Sequence, residues 1–425
     1  MINIVEGRAQ TEALLKDMRL RAADTDKAVS DTAAEILEDI RRNGLKAVEA
    51  YAEKFDGVKP YELTQAQISA AADACPKELY HAMERAAENI RDYQSRLLPE
   101  SSTWQVETDS RLGQIVRGLD RVGLYVPGGR AAYPSTVLMT AIPAKVAGVR
   151  ELVMVTPPTE HLNAAVLAAA QIAGVDRVIA VGGIQAIGAL VYGAGFIPKA
   201  DKLVGPGNSY VTAAKRLAYG KVDIDMTAGP SEVLIIADET SDPAFIAADL
   251  MSQAEHDPLA SAILVTTSRE IGDAVANQLK RQIEDLERRE IIEQSLRDFG
   301  AILLCDNLEE ACRLSETIAP EHLEIMTKDP EAVAEKIRNA GAIFLGKWSP
   351  EPLGDYMAGP SHVLPTSGTA RFFSPLSVDS FLKKTSLIHY AEADLKAASG
   401  ETIALAESEG LTAHAGSIRI RLERE

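Results

Sequence analysis

Residues 121–147 read RVGLYVPGGRAAYPSTVLMTAIPAKVA, and this stretch decides the fold. The apolar run Val122–Val126 is cut by Pro127, Gly128 and Gly129, and a helical pattern follows from Ser135 to Ala147. The pattern then repeats. Glu151–Thr156 leads to a helix near Leu162–Ala173, and Asp176–Val181 leads through Gly182–Gly183 to a helix from Gln185. Lys202–Val204 leads through Gly205–Pro206–Gly207–Asn208 to a helix through Ala214. Strand and helix alternating in this way predict a parallel sheet covered on both faces. The glycine turns fall at the carboxyl ends of strands, where open α/β sheets bind ligands.

Further along, the pattern restarts after a hinge near Met226–Ser231. Glu232–Ala237, Ser261–Thr266, Ala301–Cys305 and Ile343–Leu345 read as strands, with helices at Pro243–His256, Ile271–Leu286 and Leu308–Ile318 between them. The first hundred residues are charged and helical in pattern. Residues 347–377 hold Pro350, Pro352, Pro360, Pro365 and Pro375 and read as a long ordered loop of functional kind. Val378–Glu425 reads as a helical tail too small to fold alone. The fold class is therefore α/β, with two Rossmann-like parallel-sheet domains, a helical N-terminal segment and a small helical C-terminal tail. The expected division is an arm at 1–20, a catalytic domain made of 21–124 and 230–376, a cofactor-binding domain at 125–229, and a dimerisation tail at 377–425.

Composition excludes several classes. A formal net charge of −18 lacks the basic surface that nucleic acid requires. No apolar run is long enough to span a membrane, and the start MINIVEGRAQTE shows no secretory signal. The odd, scattered set Cys75, Cys305 and Cys312 suits free thiols in a reducing cytoplasm.

Candidate chemistry gathers in four places. Gln253 and His256 stand three apart at the end of a helix and share a face, which suits half of a metal site and equally an ordinary helix end. Glu321–His322 follows Pro320 at a strand entrance, a carboxylate beside an imidazole, which suits acid–base work or a surface turn. Asp355 and His362 lie in the long loop, and His414 lies in the tail. Gln253, His256, Asp355 and His414 together offer nitrogen and oxygen donors without a thiolate. Such a set suits Zn²⁺ first, with Mn²⁺ or Co²⁺ also possible. No GxGxxG follows a strand. Gly205–Pro206–Gly207–Asn208 opens a helix whose N-terminus could receive a phosphate, a signal no stronger than any tight α/β turn.

The blocks VGPGNSYVTAAK, DMTAGPSEVLIIAD, DLMSQAEHDP, APEHLEI, GDYMAGPSHVLPTSGTARFFSPLSV and EGLTAHA, with the opening stretch and VGGIQAIGALVYG, resemble the histidinol dehydrogenase family. They run in family order from about residue 121 to 415. The resemblance implies oxidation of L-histidinol to L-histidine through histidinaldehyde, with two NAD⁺ and one Zn²⁺ per subunit, as the last step of histidine biosynthesis. It implies metal ligation by Gln253, His256, Asp355 and His414, and an acid–base pair of Glu321 and His322. Ser231, His362 and Glu409 would help the metal ligands and His322 hold the substrate. Tyr125, Gln185 and Asn208 would contact NAD. It further implies a cytoplasmic homodimer in which one subunit's tail completes the other's site. Ser361 stands before His362 where the family pattern has Asn. The alternatives are a related zinc- and NAD-dependent dehydrogenase of another polar alcohol, such as a sulfonated diol, and a non-enzymatic two-lobed binding protein. Glu409 and His362 count against the first, and Glu321–His322 counts against the second.

Overall fold

The computed structural model describes residues 2–7, 10–16, 27–106, 109–128, 133–158, 163–227 and 229–423. Residues 17–20 of the expected arm, Gly129 of the first glycine turn, Leu162 and Ala228 of the hinge lie outside the described residues. In chain order the strands are β1 (Asn3–Glu6), β2 (Tyr61–Glu62), β3 (Ser102–Gln105), β4 (Arg111–Gly118), β5 (Arg121–Tyr125), β6 (Glu151–Thr156), β7 (Arg177–Ala180) and β8 (Lys202–Val204). Then come β9 (Asp223–Ile224), β10 (Glu232–Ala237), β11 (Ser261–Thr266), β12 (Ala301–Leu304), β13 (His322–Met326), β14 (Ala342–Leu345) and β15 (Leu382–His389).

Contacts within the chain divide it into two compact units. The larger holds Met1–Leu97 and Leu119–Phe381 and contains both predicted parallel sheets. One has the order β2-β7-β6-β5-β8-β9 and the other β1-β12-β11-β10-β13-β14. Each starts from a central strand, β5 or β10, sends two strands to one side and two to the other, and gains an edge strand from the N-terminal region. β2 adds antiparallel to β7, and β1 adds parallel to β12. The apolar runs explain the layering. β6 is buried from Leu152 to Thr156 and β11 is buried throughout, as strands covered on both faces require. Helix starts follow local chemistry: Asn163, Asn208 and Asp242 each turn a side-chain oxygen to the free N–H groups of the helix behind it.

The N-terminal helices pack on the β5-containing sheet. Ala33, Ile36, Leu37, Ile40, Ala47 and Val48 share a core with β6, β7 and the helix Gly183–Tyr192. Gly188 permits the approach, since a Cβ there would lie 2.6 Å from the Ile40 side chain. The β10-containing sheet has apolar cores on both faces, with Leu250, Val275 and Leu296 on one and Leu323, Ile325 and Ala311 on the other.

The smaller unit joins Leu98–Gly118 to Leu382–Glu425. Its sheet has the antiparallel order β15-β4-β3, and its helices are Glu392–Ser408 and Thr412–Leu422. Buried Asp394 ties these pieces, accepting from the Ser110 hydroxyl at 2.5 Å and the Ser110 N–H at 3.1 Å. The tail is thus helical, as expected, but it also contributes a strand.

The proline-rich loop is less irregular than its sequence suggests. It contains the short helix Glu351–Tyr356, which starts with Pro350 as N-cap. Proline suits the first helical turn, where its missing N–H costs nothing. Downstream, Thr366 Oγ1 accepts the Gly229 N–H at 2.6 Å, and Arg371 donates to the Thr317 carbonyl at 2.7 Å.

Candidate active site

The helix Pro243–Ala254 runs back against β10, so its last residues return to the edge where β10 and β13 begin. Glu321, His322, Ser231, Gln253, His256, Asp355 and His362 all belong to this amino edge and the loop beside it. At the carboxyl edge, where open sheets usually bind, Asp238 accepts from the Thr240 hydroxyl at 2.6 Å and the Lys328 N–H at 2.8 Å.

Glu321 and His322 are both buried. The Glu321 carboxylate accepts the Glu232 N–H at 2.8 Å. His322 Nδ1 lies 3.1 Å from the Glu232 carbonyl. A carbonyl only accepts, so Nδ1 carries a proton there, and Nε2 is the nitrogen left to exchange the ring's other proton. Nε2 is buried without a hydrogen-bond partner, 3.6 Å from Asp355 Oδ1, too long for a hydrogen bond. That atom is placed as a base. Burial opposes charge on His322, but the carboxylates of Glu321, Asp355 and Glu351 outweigh it and raise its proton affinity. Burial likewise raises Glu321, with His322 opposing at 3.6 Å.

One ligand atom each from His256, Glu351 and Asp355 lies within 4.8 Å of the other two. His256 is exposed by area, yet enough protein surrounds its ring to push its pKa down, with Asp355 and Glu255 opposing. Burial also holds His362 down, so both imidazoles favour the neutral form. His362 Nδ1 lies 3.2 Å from the Asp355 carbonyl. Burial works to raise Asp355, but His322, His362 and His256 together keep it below the usual carboxylate range. Glu351 is pushed up to about 7 by burial, against the pull of His322. The Gln253 amide faces the Glu351 carboxylate. With its nitrogen turned inward it donates to the two carboxylate oxygens at 2.9 and 2.7 Å, and its oxygen accepts the Glu232 N–H at 3.3 Å. The neutral His256 imidazole and the Glu351 and Asp355 carboxylates converge, and such nitrogen and oxygen donors fit a divalent cation.

Glu351 was not singled out from the sequence. It stands four before Asp355, so the two share a helix face. That signal was hidden because Pro350 and Pro352 read as loop. Buried Glu324 on β13 was also missed. It receives the Glu351 N–H at 2.8 Å and so fixes the start of the helix that carries Asp355.

The three predicted NAD contacts lie at carboxyl ends of the other sheet. Tyr125 ends β5, and its hydroxyl accepts the Gly183 N–H at 3.2 Å. Buried Gln185 donates to Asp56 Oδ2 at 3.0 Å. Asn208 is exposed and caps the helix Ser209–Ala218 through the N–H groups of Tyr210 and Val211, each at 3.1 Å. The turn before it is clamped. Asp225 accepts the Gly205 N–H at 2.7 Å and pairs with buried Lys215 at 2.5 Å. Only glycine fits at 205, where φ is +115° and a Cβ would lie 2.1 Å from the Tyr125 carbonyl oxygen. Glu409 and His414 belong to the smaller unit, and both are exposed there.

Comparison with known proteins identifies the family. A family model described as histidinol dehydrogenase matches residues 19–422. Histidinol dehydrogenase from Clostridium acetobutylicum is 50% identical over 424 residues, covering 99% of this chain and 98% of its own length. The Heliobacterium mobile protein of the same name is 51% identical over 405 residues, with 94% and 95% covered. The crystal structure of histidinol dehydrogenase from Elizabethkingia anophelis matches with a TM-score of 0.94 at 36% identity, covering 99% of this chain and 98% of that one. The chain belongs to the histidinol dehydrogenase family, and with it to the NAD-linked oxidoreductases.

Proposed function

We propose that the protein oxidises L-histidinol to L-histidine in two NAD⁺-dependent steps at the amino edge of the β10-containing sheet, with histidinaldehyde held between them. The observation that carries this reading is His322 Nε2, buried and without a hydrogen-bond partner beside the cluster of His256, Glu351 and Asp355. In the first step His322 Nε2 takes the hydroxyl proton as the carbinol hydride passes to NAD⁺, giving aldehyde and NADH. In the second, Glu321 takes a proton from water as it adds to the aldehyde, and His322 returns its proton to the carbonyl oxygen, which completes the hydrate and frees Nε2 again. The hydrate then gives up its hydride to a second NAD⁺ and a proton to His322, leaving the carboxylic acid. A base set by burial and neighbouring charge suits both steps.

Gln253, His256 and Asp355, joined by His414, would hold Zn²⁺, one per subunit. When bound, the ion supplies a fixed positive charge that orients the substrate's amino and imidazole nitrogens. Ser231, His362 and Glu409 hold the substrate, and Tyr125, Gln185 and Asn208 contact NAD. Glu409 and His414 would reach the site from a second copy of the chain in a homodimer. Among the described residues no helix is long and apolar enough to cross a membrane, which agrees with a cytoplasmic setting.

The related dehydrogenase of another polar alcohol gains no support from the relatives, whose names specify histidinol dehydrogenase. The test is the yield of NADH. Two NADH for each L-histidinol consumed, and no turnover of a sulfonated diol, are expected. One NADH with free aldehyde released, or turnover of the diol alone, would overturn the reading.

A further inference from the structure

The N-terminal region, charged and helical in pattern, sends one carboxylate to the carboxyl edge of the β5-containing sheet. Asp56 is the last residue of the helix Leu45–Asp56, and Gly57 ends that helix at a φ of +74°. A negative charge is poorly placed at the carboxyl end of its own helix. Its surroundings offset that disadvantage, because Asp56 meets the start of a second helix, Gly183–Tyr192, where the first N–H groups carry partial positive charge. The N–H of Gly182, the N-cap of that helix, hydrogen-bonds the Asp56 carboxylate, and Gln185 Nε2 donates to Asp56 Oδ2 at 3.0 Å.

Gln185 is the third residue of its helix. A Gln at that position commonly turns its side-chain oxygen back to the N-cap N–H, as Gln67 does for the Thr64 N–H at 2.8 Å. Here the Asp56 carboxylate takes the N-cap N–H instead. A carboxylate only accepts, so the amide nitrogen of Gln185 is the end that faces Asp56, and the oxygen is the end left over. Among the described residues no group donates to that oxygen. It lies against Gly183, where a Cβ would stand 2.7 Å from it. The Gly183 N–H is taken as well, by the Tyr125 hydroxyl at 3.2 Å. The first two N–H groups of the turn are thus spent inside the protein, which suits a cofactor held by side chains and not by a glycine-rich phosphate loop.

We propose that Asp56 is a positioning residue for the cofactor: by holding the Gln185 amide nitrogen and the Gly182 N–H, it presents the Gln185 oxygen as an acceptor for a donor group of NAD. This rests on the reading of Gln185 as an NAD contact. Burial works to raise the pKa of Asp56, against the hydrogen bonds from Gln185 and Gly182. The oxygen of an Asn accepts hydrogen bonds as a carboxylate oxygen does, so the role needs an acceptor at this place and not a charge. An Ala at 56 leaves the amide free to turn its nitrogen where oxygen is needed.

The test separates cofactor affinity from chemistry in the full-length enzyme. Asp56→Ala is expected to raise KM for NAD⁺, and to weaken NADH binding followed by fluorescence, by about tenfold each, as the loss of a buried hydrogen-bond partner implies. In the same variant kcat at saturating NAD⁺ and KM for L-histidinol should stay within about threefold of the parent, and Asp56→Asn should bring NADH affinity back to within about threefold. A merely structural role would move the thermal midpoint and every kinetic constant together, with no such split. Gln185→Ala and the double variant complete a cycle. If Asp56 acts through Gln185, D56A costs little further affinity once Gln185 is gone. Equal costs in the two backgrounds would overturn the proposal, as would NADH affinity of D56A within about twofold of the parent. If D56A does not fold, Asp56→Ser, polar but too short to reach Gln185, carries the comparison. Unchanged NADH affinity in Q185A would defeat the reading of Gln185 as an NAD contact, and not merely the place of Asp56 behind it.

Discussion

Replacing His322 by Asn is expected to lower kcat on L-histidinol by about 10²- to 10⁴-fold, the usual contribution of a positioned general base. The substitution is chosen for what it keeps. The Asn amide can still donate toward the Glu232 carbonyl that His322 Nδ1 addresses at 3.1 Å, so the start of β13 retains its anchor. What is lost is Nε2, the ring atom buried without a hydrogen-bond partner beside the cluster. Because both oxidations pass a proton to that atom, both should slow, whether the assay starts from histidinol or from the aldehyde. Metal content and KM for NAD⁺ should change little. A loss of less than about tenfold would mean that another group is the base.

Stripping the metal with a chelator is expected to remove turnover almost completely, and added Zn²⁺ should restore it. Without the ion the substrate loses its fixed positive anchor, and aligned reactants are worth about 7–11 kcal/mol of barrier when geometry is held. NADH binding, followed by fluorescence, should survive the treatment. Tyr125, Gln185 and Asn208 belong to the other sheet, held by Gly183, Asp56 and the helix Ser209–Ala218 and by no residue of the metal cluster. Turnover that persists in protein shown to be metal-free would contradict the proposed role. Loss of NADH binding together with activity would show that the ion holds the larger unit together and has no specific part in the chemistry.

The two sheets were legible because their strands are continuous apolar runs broken by glycine turns. A strand such as Leu152–Thr156 has no solvent face and hence no alternation to confuse it with a surface strand. What stayed hidden was short or at an edge. β2 is two residues long, and β1 and β15 carry several exposed polar positions, so neither length nor apolar pattern marks them. The partner of the N-terminal helices was hidden as well. An amphipathic stripe such as Ile36, Leu37 and Ile40 announces burial without saying against which sheet, and the answer depends on Gly188, far along the chain.

The site was legible in part. Gln253 and His256 could be placed on one face at a helix end from spacing alone. Their meeting with Asp355 depends on the short helix Glu351–Tyr356, whose flanking prolines read as loop until its start at Pro350 is seen. The sequence itself offers Asp355 as a donor in the long loop, the resemblance implies that it binds the metal, and the structure adds Glu351 and Glu324 behind it. The pairing of Glu321 with His322 was plain from adjacency, but the division of labour was not. That follows from the Glu232 backbone, which engages the Glu321 carboxylate with its N–H and His322 Nδ1 with its carbonyl.

The central claim is that one buried pair divides two oxidations, with His322 serving both and Glu321 serving the second. Rapid mixing of Glu321→Gln with L-histidinol and excess NAD⁺, counting NADH formed per site, tests it most directly. The account predicts one NADH formed at close to the parent's rate, followed by a second at least about 10²-fold slower, with aldehyde retained on the protein between them. Two NADH formed at the parent's rate would contradict it.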